Sequence, residues 1–483
     1  MRFNTQSEGT KTTNIAGGAA FKESHELELI SILLTSFAED KFYRTASNEI
    51  ERIKELIGIV GCEFSARAAA YARNEFGMRS ITHVVASEIA YQASKQFWVK
   101  EFLNAVVKRP DDVTEILAYH FSQGRKLTNQ MRKGLGAALS RFNTYQLGKY
   151  KATKAKVSLV DAVNLLHPKN TEALGHLIKG TLDSPETWEV LLTQAGSDEA
   201  KKTQVWKKLL TEKKLGYFAL LRNIRNIMAQ APDCIDLICE QLVNEEVIKK
   251  SLVLPFRYWV AYKEILAMQH LKTKEVLKAI VVACELSVKN IPTFEGQTLV
   301  VLDVSSSMTS TRAKSYSCAE IGALFAAALC KAPRTTFMCF AQKAEIRNFD
   351  PFASILGIVQ AIPFEGGGTN FSSIFDAATF KYDRVIILSD MQGWMEKTWH
   401  DELSLSVSFN KYKQRTGATP IVYSVDFSGY GTLKFPERNV YCVAGFSEKI
   451  FDIMKMLEMD KDALVNEIKN YSFNMRIEEE KQI

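Results

Sequence analysis

Three short segments carry oxygen ligands at spacings that suit a metal ion. Asp303-Val304-Ser305-Ser306-Ser307 is a D-x-S-x-S arrangement that begins at the end of the apolar run TLVVLD (298–303). Gly366-Gly367-Gly368-Thr369-Asn370 is a flexible loop presenting a hydroxyl, and Ser389-Asp390 closes a second apolar run, RVIILSD (384–390). Two carboxylates (Asp303, Asp390) and three hydroxyls (Ser305, Ser307, Thr369) on one edge would make a hard-oxygen site. Such a site suits a divalent metal such as Mg²⁺ in near-octahedral geometry, with water or a partner's carboxylate completing the shell. The alternative is that these polar residues only cap loops. None of the three segments offers a His or Glu as general base. His400, the one histidine after residue 290, reads as a surface residue. GGGTN is not a Walker loop, because no Lys-Ser/Thr follows the glycines. The expectation is a binding site, not an enzyme.

A second chemistry lies in a basic stretch. Between Glu115 and Asp161 no acid occurs, and the 45 residues 116–160 hold Arg125, Lys126, Arg132, Lys133, Arg141, Lys149, Lys151, Lys154 and Lys156. In TNQMRKGLGAALSRFNTY the residues Met131, Leu135, Leu139 and Phe142 form one apolar stripe at helical spacing. Lys133 points nearly opposite the stripe, with Arg132 and Arg141 flanking it, so all three are expected to face solvent. Gly134 and Gly136 each cost such a helix up to ~1 kcal/mol relative to alanine, so it needs tertiary support. A solvated basic face without a ligand competes with an electrostatic footprint for nucleic acid. RNA is favoured over DNA because no helix-turn-helix or zinc finger is visible.

The elements that must position these groups differ between two halves of the chain. In NEIERIKELIGI, Ile50, Ile53, Leu56 and Ile57 recur three and four apart, and Ile235, Ile238 and Leu242 repeat the pattern in IDLICEQLV. This helical spacing continues to about residue 287, which predicts a stacked α-solenoid over 1–290. From Ile291-Pro292-Thr293-Phe294-Glu295-Gly296 onward, apolar runs at 298–303, 335–341, 384–390, 420–427 and 440–445 alternate with helical stretches. That alternation predicts a parallel sheet covered on both faces over 291–483, with ligands at the carboxyl ends of its strands. The fold class is therefore α plus α/β.

Composition narrows the setting. The chain has 483 residues, 46% apolar and 24% charged, and is long enough for two to four domains. No apolar run approaches the ~18 residues that a membrane span needs, and the polar start MRFNTQSEGTKTTNIAGG does not read as a secretory signal. Eight cysteines without a CxxC or a zinc spacing read as reduced core thiols of a cytoplasmic protein. The net charge of +6 is asymmetric. Residues 1–290 hold 41 Lys+Arg against 32 Asp+Glu, and 291–483 hold 20 against 23.

The residues 303–307, 369 and 390 resemble the von Willebrand factor A domain and its metal-ion-dependent adhesion site. Several helical segments resemble the TROVE module of the Ro ribonucleoprotein family: FGMRSITHVVASEIA (76–90), VSLVDAVNLLHPKNTEAL (157–174), VWKKLLTEKKLGYFALLRNI (205–224) and LPFRYWVAYK (254–263). The order TROVE then von Willebrand A is that of Ro-type proteins, here of a bacterial or phage type. The resemblance implies a HEAT-like helical ring closed by a Rossmann-like von Willebrand A domain. It implies binding of small noncoding Y RNA on a basic outer surface and of single-stranded ends of misfolded RNA in a central hole. An exoribonuclease is the implied protein partner, the protein itself being monomeric, with neither DNA nor membrane as a partner. By the same resemblance His167 matches an RNA-contacting histidine. Lys169 follows it in His-Pro-Lys, where the family more often has His-x-Lys-Pro. Arg222 and Asn223 match family residues that are either RNA-facing or structural. After Asp390 the sequence reads Met391-Gln392, where the family usually carries Asn-Glu.

Overall fold

The computed structural model describes residues 11–14, 19–22, 24–35, 46–150, 156–182, 186–251, 253, 255–287, 294–309, 317–350, 352–364, 366–393, 405–428, 432–433, 440–444, 450–451, 453–454 and 463–473. Two compact units divide the chain. One comprises Ser24–Asp40, Arg44–Leu191 and Asp462–Ile483; the other comprises Met1–Glu23, Lys41–Tyr43 and Leu192–Lys461.

The first unit is helical. The helices Cys62–Glu75, Trp98–Val106, Asn129–Leu139 and Leu159–Leu166 each pack on the next. Helices Ser80–Gln92 and Pro110–Ser122 pack on one another beside them. Contact between next-but-one elements is what stacked helix pairs produce. Helical spacing drives it: Ile53, Leu56 and Ile57 are all fully buried, as are Met131, Leu135 and Leu139. Helix Ala463–Lys469 rejoins this unit on Cys62–Glu75. Just beyond it Tyr471 meets Tyr71 edge-on at 5.5 Å, and Phe473 stacks with Trp98 at 6.1 Å.

Asp112 is the electrostatic hub of this unit. Fully buried, it accepts from Arg73 Nη2 (2.9 Å), Arg79 Nε (2.7 Å) and the backbone N–H groups of Lys108 and Arg109 (3.0 Å each). His83 Nε2 lies 3.1 Å from it and His83 Nδ1 3.0 Å from Glu115. Burial alone would raise the Asp112 carboxyl, but His83, Arg73 and Arg79 hold it far below the ordinary range. Burial likewise opposes the charge on His83, and the Asp112 and Glu115 hydrogen bonds outweigh that, leaving its pKa raised.

The second unit contains the sheet. Its strands are β1 (Lys11–Thr13), β2 (Ala19–Lys22), β3 (Thr298–Asp303), β4 (Thr335–Phe340), β5 (Ala344–Arg347), β6 (Arg384–Ser389), β7 (Ile421–Asp426), β8 (Thr432–Leu433) and β9 (Val440–Ala444). Six of them pair in the order β5-β4-β3-β6-β7-β9, parallel throughout except for β5, which is antiparallel to β4. All five expected apolar runs form parallel strands. The antiparallel β5 was not expected, because AEIR is short and mostly exposed, as an edge strand can be. One face packs Leu299, Val301, Met338, Val385 and Ile387 against Phe371, Phe375, Phe409 and Tyr412. The apolar helix Cys318–Cys330 covers β3, β4 and β6. The remaining strands make a separate sheet, β1-β2-β8.

The helices Trp188–Ala195 to Thr273–Ser287 share this unit from Leu192 onward. Two of them pack directly on the α/β part. Trp259 Nε1 and Lys263 Nζ both donate to Glu320, which caps the start of helix Cys318–Cys330. Glu285 accepts from Ile355 N.

The Asp112 hub sets a stability test. Asp112→Ala leaves Arg73 buried without its carboxylate and is expected to cost about 3–5 kcal/mol, read by urea unfolding. A raised His83 pKa means its contribution is complete below the unfolded value of ~6.5 and is lost as pH rises through the folded value. The unfolding midpoint should therefore fall from pH 6 towards alkaline pH, and His83→Gln should flatten that dependence.

Candidate functional site

The strand ends assemble the oxygen cluster. β3 is buried along its whole length and delivers Asp303 to the carboxyl edge with no exposure. Asp303 Oδ1 accepts from Ser305 N (2.9 Å), and Oδ2 accepts from Ser389 Oγ (2.6 Å). Ser305 Oγ and Ser307 Oγ lie 3.3 Å apart. The glycine loop is fastened to this turn: Gly367 N donates to Ser306 Oγ (2.9 Å), and Ser306 N donates to Gly367 O (3.3 Å). Gly366 and Gly367 have φ of 72° and 103°, in the left-handed region open to glycine at no steric cost. That conformation lets the loop come back to Ser306 and leaves Thr369 buried.

Asp390 follows β6 and is buried. Its Oδ1 accepts from Gln392 N (3.2 Å), while Oδ2 is buried without a hydrogen-bond partner. Burial first, then the Asp303 and Asp426 charges, push the Asp390 carboxyl above the ordinary range; the Ser307 hydroxyl works against them. Burial also raises Asp303, partly offset by Ser305 and Ser389. The five expected ligands thus stand on three connected segments of one edge. They offer only carboxylate and hydroxyl oxygens, a donor set that suits a hard cation. Among the described residues no group of three or more His, Cys, Asp and Glu could hold a metal, so the hydroxyls are integral to any such site.

Asp426 is the acidic residue that the sequence reading missed. It ends β7 fully buried, and its Oδ1 accepts from Ser428 N (2.7 Å). The signal was present: Asp426-Phe427-Ser428 repeats the Asp-x-Ser turn of Asp303 at the end of another apolar run.

In the helical unit the basic residues separate into two kinds. Helix Asn129–Leu139 starts at Thr128, whose Oγ1 accepts from Met131 N (3.2 Å). A Cβ on Gly134 would stand 2.5 Å from Lys100 O, so glycine is what lets this helix lie against Trp98–Val106. That approach is the tertiary support the two glycines demand. Arg132 and Lys133 are exposed, and among the described residues no side chain pairs with either. At the helix end Ser140 Oγ donates to Lys169 O (2.9 Å), which brings the His167–Lys169 loop alongside. His167 is exposed and left-handed at φ 49°. Lys169 and Lys126 are exposed as well, and exposed Lys149 lies over the Tyr150 ring at 5.7 Å.

Arg141 is exposed, as expected, but both it and Arg125 are engaged by the protein itself. Arg125 Nη2 bonds Glu88 at 2.8 Å and its guanidinium covers the Tyr91 ring. Arg141 Nη2 donates to Asn104 O (3.1 Å) and Val107 O (2.8 Å), capping the end of helix Trp98–Val106, and burial lowers its pKa. Both do structural work that spacing along one helix could not reveal. Lys151, Lys154 and His400 lie outside the described residues. Arg222 belongs to the other unit and is exposed on helix Tyr217–Gln230, so it is not a buried tie between repeats. Its neighbour Asn223 is the buried one, bonding Ala219 O through Nδ2 (2.9 Å).

Comparison with known proteins agrees with this architecture. The TROVE domain family matches residues 38–181 and 161–308. Telomerase protein component 1 of Mus musculus is 20% identical over 50% of this chain, and that of Rattus norvegicus 19% over the same share. The chain spans 13% of the length of these curated relatives. Among solved structures, the crystal structure of Deinococcus radiodurans RO (RSR) protein superposes with a TM-score of 0.60 at 18% identity, covering 89% of this chain and 99% of that one. Helical repeats followed by a mostly parallel sheet are thus a shared fold, and the family match extends over more than half of the sequence. The chain belongs to the TROVE domain family.

Proposed function

We propose that this protein is a non-catalytic cytoplasmic scaffold that binds a small noncoding RNA of the Y type and receives single-stranded ends of misfolded RNAs, in quality control or as an adaptor for an exoribonuclease. The observation that carries the reading is the exposed pair Arg132–Lys133 on a helix whose end is tied to the His167–Lys169 loop. Exposed cations without ion-pair partners on a rigid helix are free to meet phosphates, and an A-form stem would be read by its shape and backbone. Arg125 and Arg141 would support this surface from beneath through Glu88 and the Asn104 and Val107 carbonyls.

Asp303, Ser305, Ser307, Thr369 and Asp390 would hold Mg²⁺. The buried, unpartnered Asp390 Oδ2 supports this, because an uncompensated carboxylate oxygen is costly to bury. The ion, when bound, would offer an open coordination position to a carboxylate of a protein partner. This favours a second reading in which the same chain also grips a protein through its strand-end edge.

Two measurements test these readings separately. Arg132→Glu/Lys133→Glu is expected to weaken stem binding by a few kcal/mol, and to flatten the dependence of log K on log salt by about 0.7–0.9 for each phosphate no longer neutralised. Unchanged affinity in a gel shift would remove this surface from the interface. For the cation site, Asp390→Asn keeps the shape and deletes the charge. A carboxyl raised in the folded state favours folding most below its unfolded pKa of ~3.9, and loses that contribution as pH rises through the folded value. The substitution should therefore stabilise the metal-free chain at pH 8, while abolishing Mg²⁺ binding in calorimetry.

A further inference from the structure

The N-terminal segment of the chain is seated on the loops that carry the strand-end acids. β1 pairs antiparallel with β2 through Lys11↔Phe21, Thr12↔Ala20 and Thr13↔Ala19. β2 in turn pairs with β8 through Phe21↔Leu433 and Lys22↔Thr432. β8 follows the Asp426-Phe427-Ser428 turn by only a few residues. At the end of β1, buried Asn14 sends its Nδ2 into Gly393 O at 2.6 Å, across 379 residues of sequence. Gly393 closes the turn Asp390-Met391-Gln392-Gly393. One segment thus holds the chain beyond Asp390 by a side chain and the chain beyond Asp426 by a strand pairing.

The turn needs such a hold. Asp390 stands beyond the last residue of β6, so the sheet ladder does not fix it. Met391 is buried in the left-handed region at φ 60°, a conformation that costs a non-glycine residue energy and persists only when its surroundings enforce it. The Asp390 carboxylate is repelled by Asp303 and Asp426, and the Ser307 hydroxyl and the Gln392 N–H offset that push only in part, Oδ2 itself being buried without a hydrogen bond. If Gly393 were released, the turn could relax and carry the carboxylate away from Asp303. Seating of the strap therefore compresses like charges, and a divalent cation between them would relieve the compression.

Resting on the cation reading above, we propose that residues 11–14 and 19–22 act as a strap whose seating is linked to cation binding, with Asn14 as the positioning residue. Linkage is reciprocal: a cation that binds better when Asn14 holds Gly393 must also tighten the strap. The strap would report occupancy of the edge at a surface other than the one a partner's carboxylate would meet.

The test uses the full chain with MgCl₂ alone. Titration calorimetry on the unaltered protein and on Asn14→Ala and Asn14→Asp measures affinity. Hydrogen exchange with and without Mg²⁺ follows the amides of 11–13, 19–22 and 432–433. Asn14→Asp is isosteric and replaces the donating amide by an acceptor facing Gly393 O. Both variants are expected to bind Mg²⁺ about tenfold more weakly, the scale of one lost buried hydrogen bond. In the unaltered protein Mg²⁺ should slow exchange in all three segments, and in the variants it should no longer do so. Equal Mg²⁺ affinity in folded variants, or strap exchange in the unaltered protein that ignores Mg²⁺, overturns the strap. The exchange arm needs no substitution, so it decides even where a variant does not fold. An unaltered protein that binds no Mg²⁺ at all overturns the cation reading and the strap together.

Discussion

Buried negative charge at the carboxyl edge is the constraint around which the α/β unit is arranged. Register pairs Leu302 with Leu388 and Ser389 with Asp426, so Asp303, Ser389 and Asp426 lie side by side across β3, β6 and β7, with Asp390 one residue beyond. A parallel sheet covered on both faces leaves these side chains little access to water. Each carboxylate then takes whatever donors the backbone can supply. The three Asp residues each accept the N–H of the residue two positions on, and Ser389 supplies the second oxygen of Asp303. The hydroxyl-rich turns, the glycine loop folded onto Ser306 and the segment held by Asn14 all follow from placing several acids within Coulombic reach of one another.

The helical unit meets buried charge in the opposite way. Asp112 is surrounded by Arg73, Arg79, His83 and two backbone N–H groups, so its ionised form is fully supplied with donors. Removing any one of these would leave charge exposed to a poorly polarisable interior. Such a hub ties helix Pro110–Ser122 to Cys62–Glu75 and to the loop and helix that begin at Arg79. It holds a rigid base near the helix that bears Arg132 and Lys133. The arginines carry most of this internal work, as their planar, multidentate donors suit it, whereas lysines are left at the surface.

What was legible in the sequence was local. The helical spacing of Ile53, Leu56 and Ile57, the apolar runs that became β3, β4, β6, β7 and β9, and the Asp-x-Ser-x-Ser turn each depend on neighbours within a few residues. β5 was not legible because the alternation Ala344-Glu345-Ile346-Arg347 is only four residues long, too short to stand out from a loop. Asp426 was overlooked because a single Asp-x-Ser without the second serine of Asp-x-Ser-x-Ser looks like any turn. Asn14 was beyond reach altogether: its bond partner lies 379 residues away, and an asparagine in a Thr- and Gly-rich stretch reads as loop.

The basic stretch shows why charge counted along a chain overstates an interface. Nine basic residues without an acid looked like one footprint. Yet the acids that answer Arg125 come from another helix, through Glu88, and the groups that answer Arg141 are helix-end carbonyls. A guanidinium engaged in this way would have to give up a partly buried hydrogen bond before it could neutralise a phosphate, and that cost would offset part of the gain. Under the proposed function, electrostatic affinity for RNA would therefore come from the residues that, among those described, folding leaves unengaged. On helix Asn129–Leu139 these are Arg132 and Lys133, and the close approach permitted by Gly134 fixes the helix whose outer face they share.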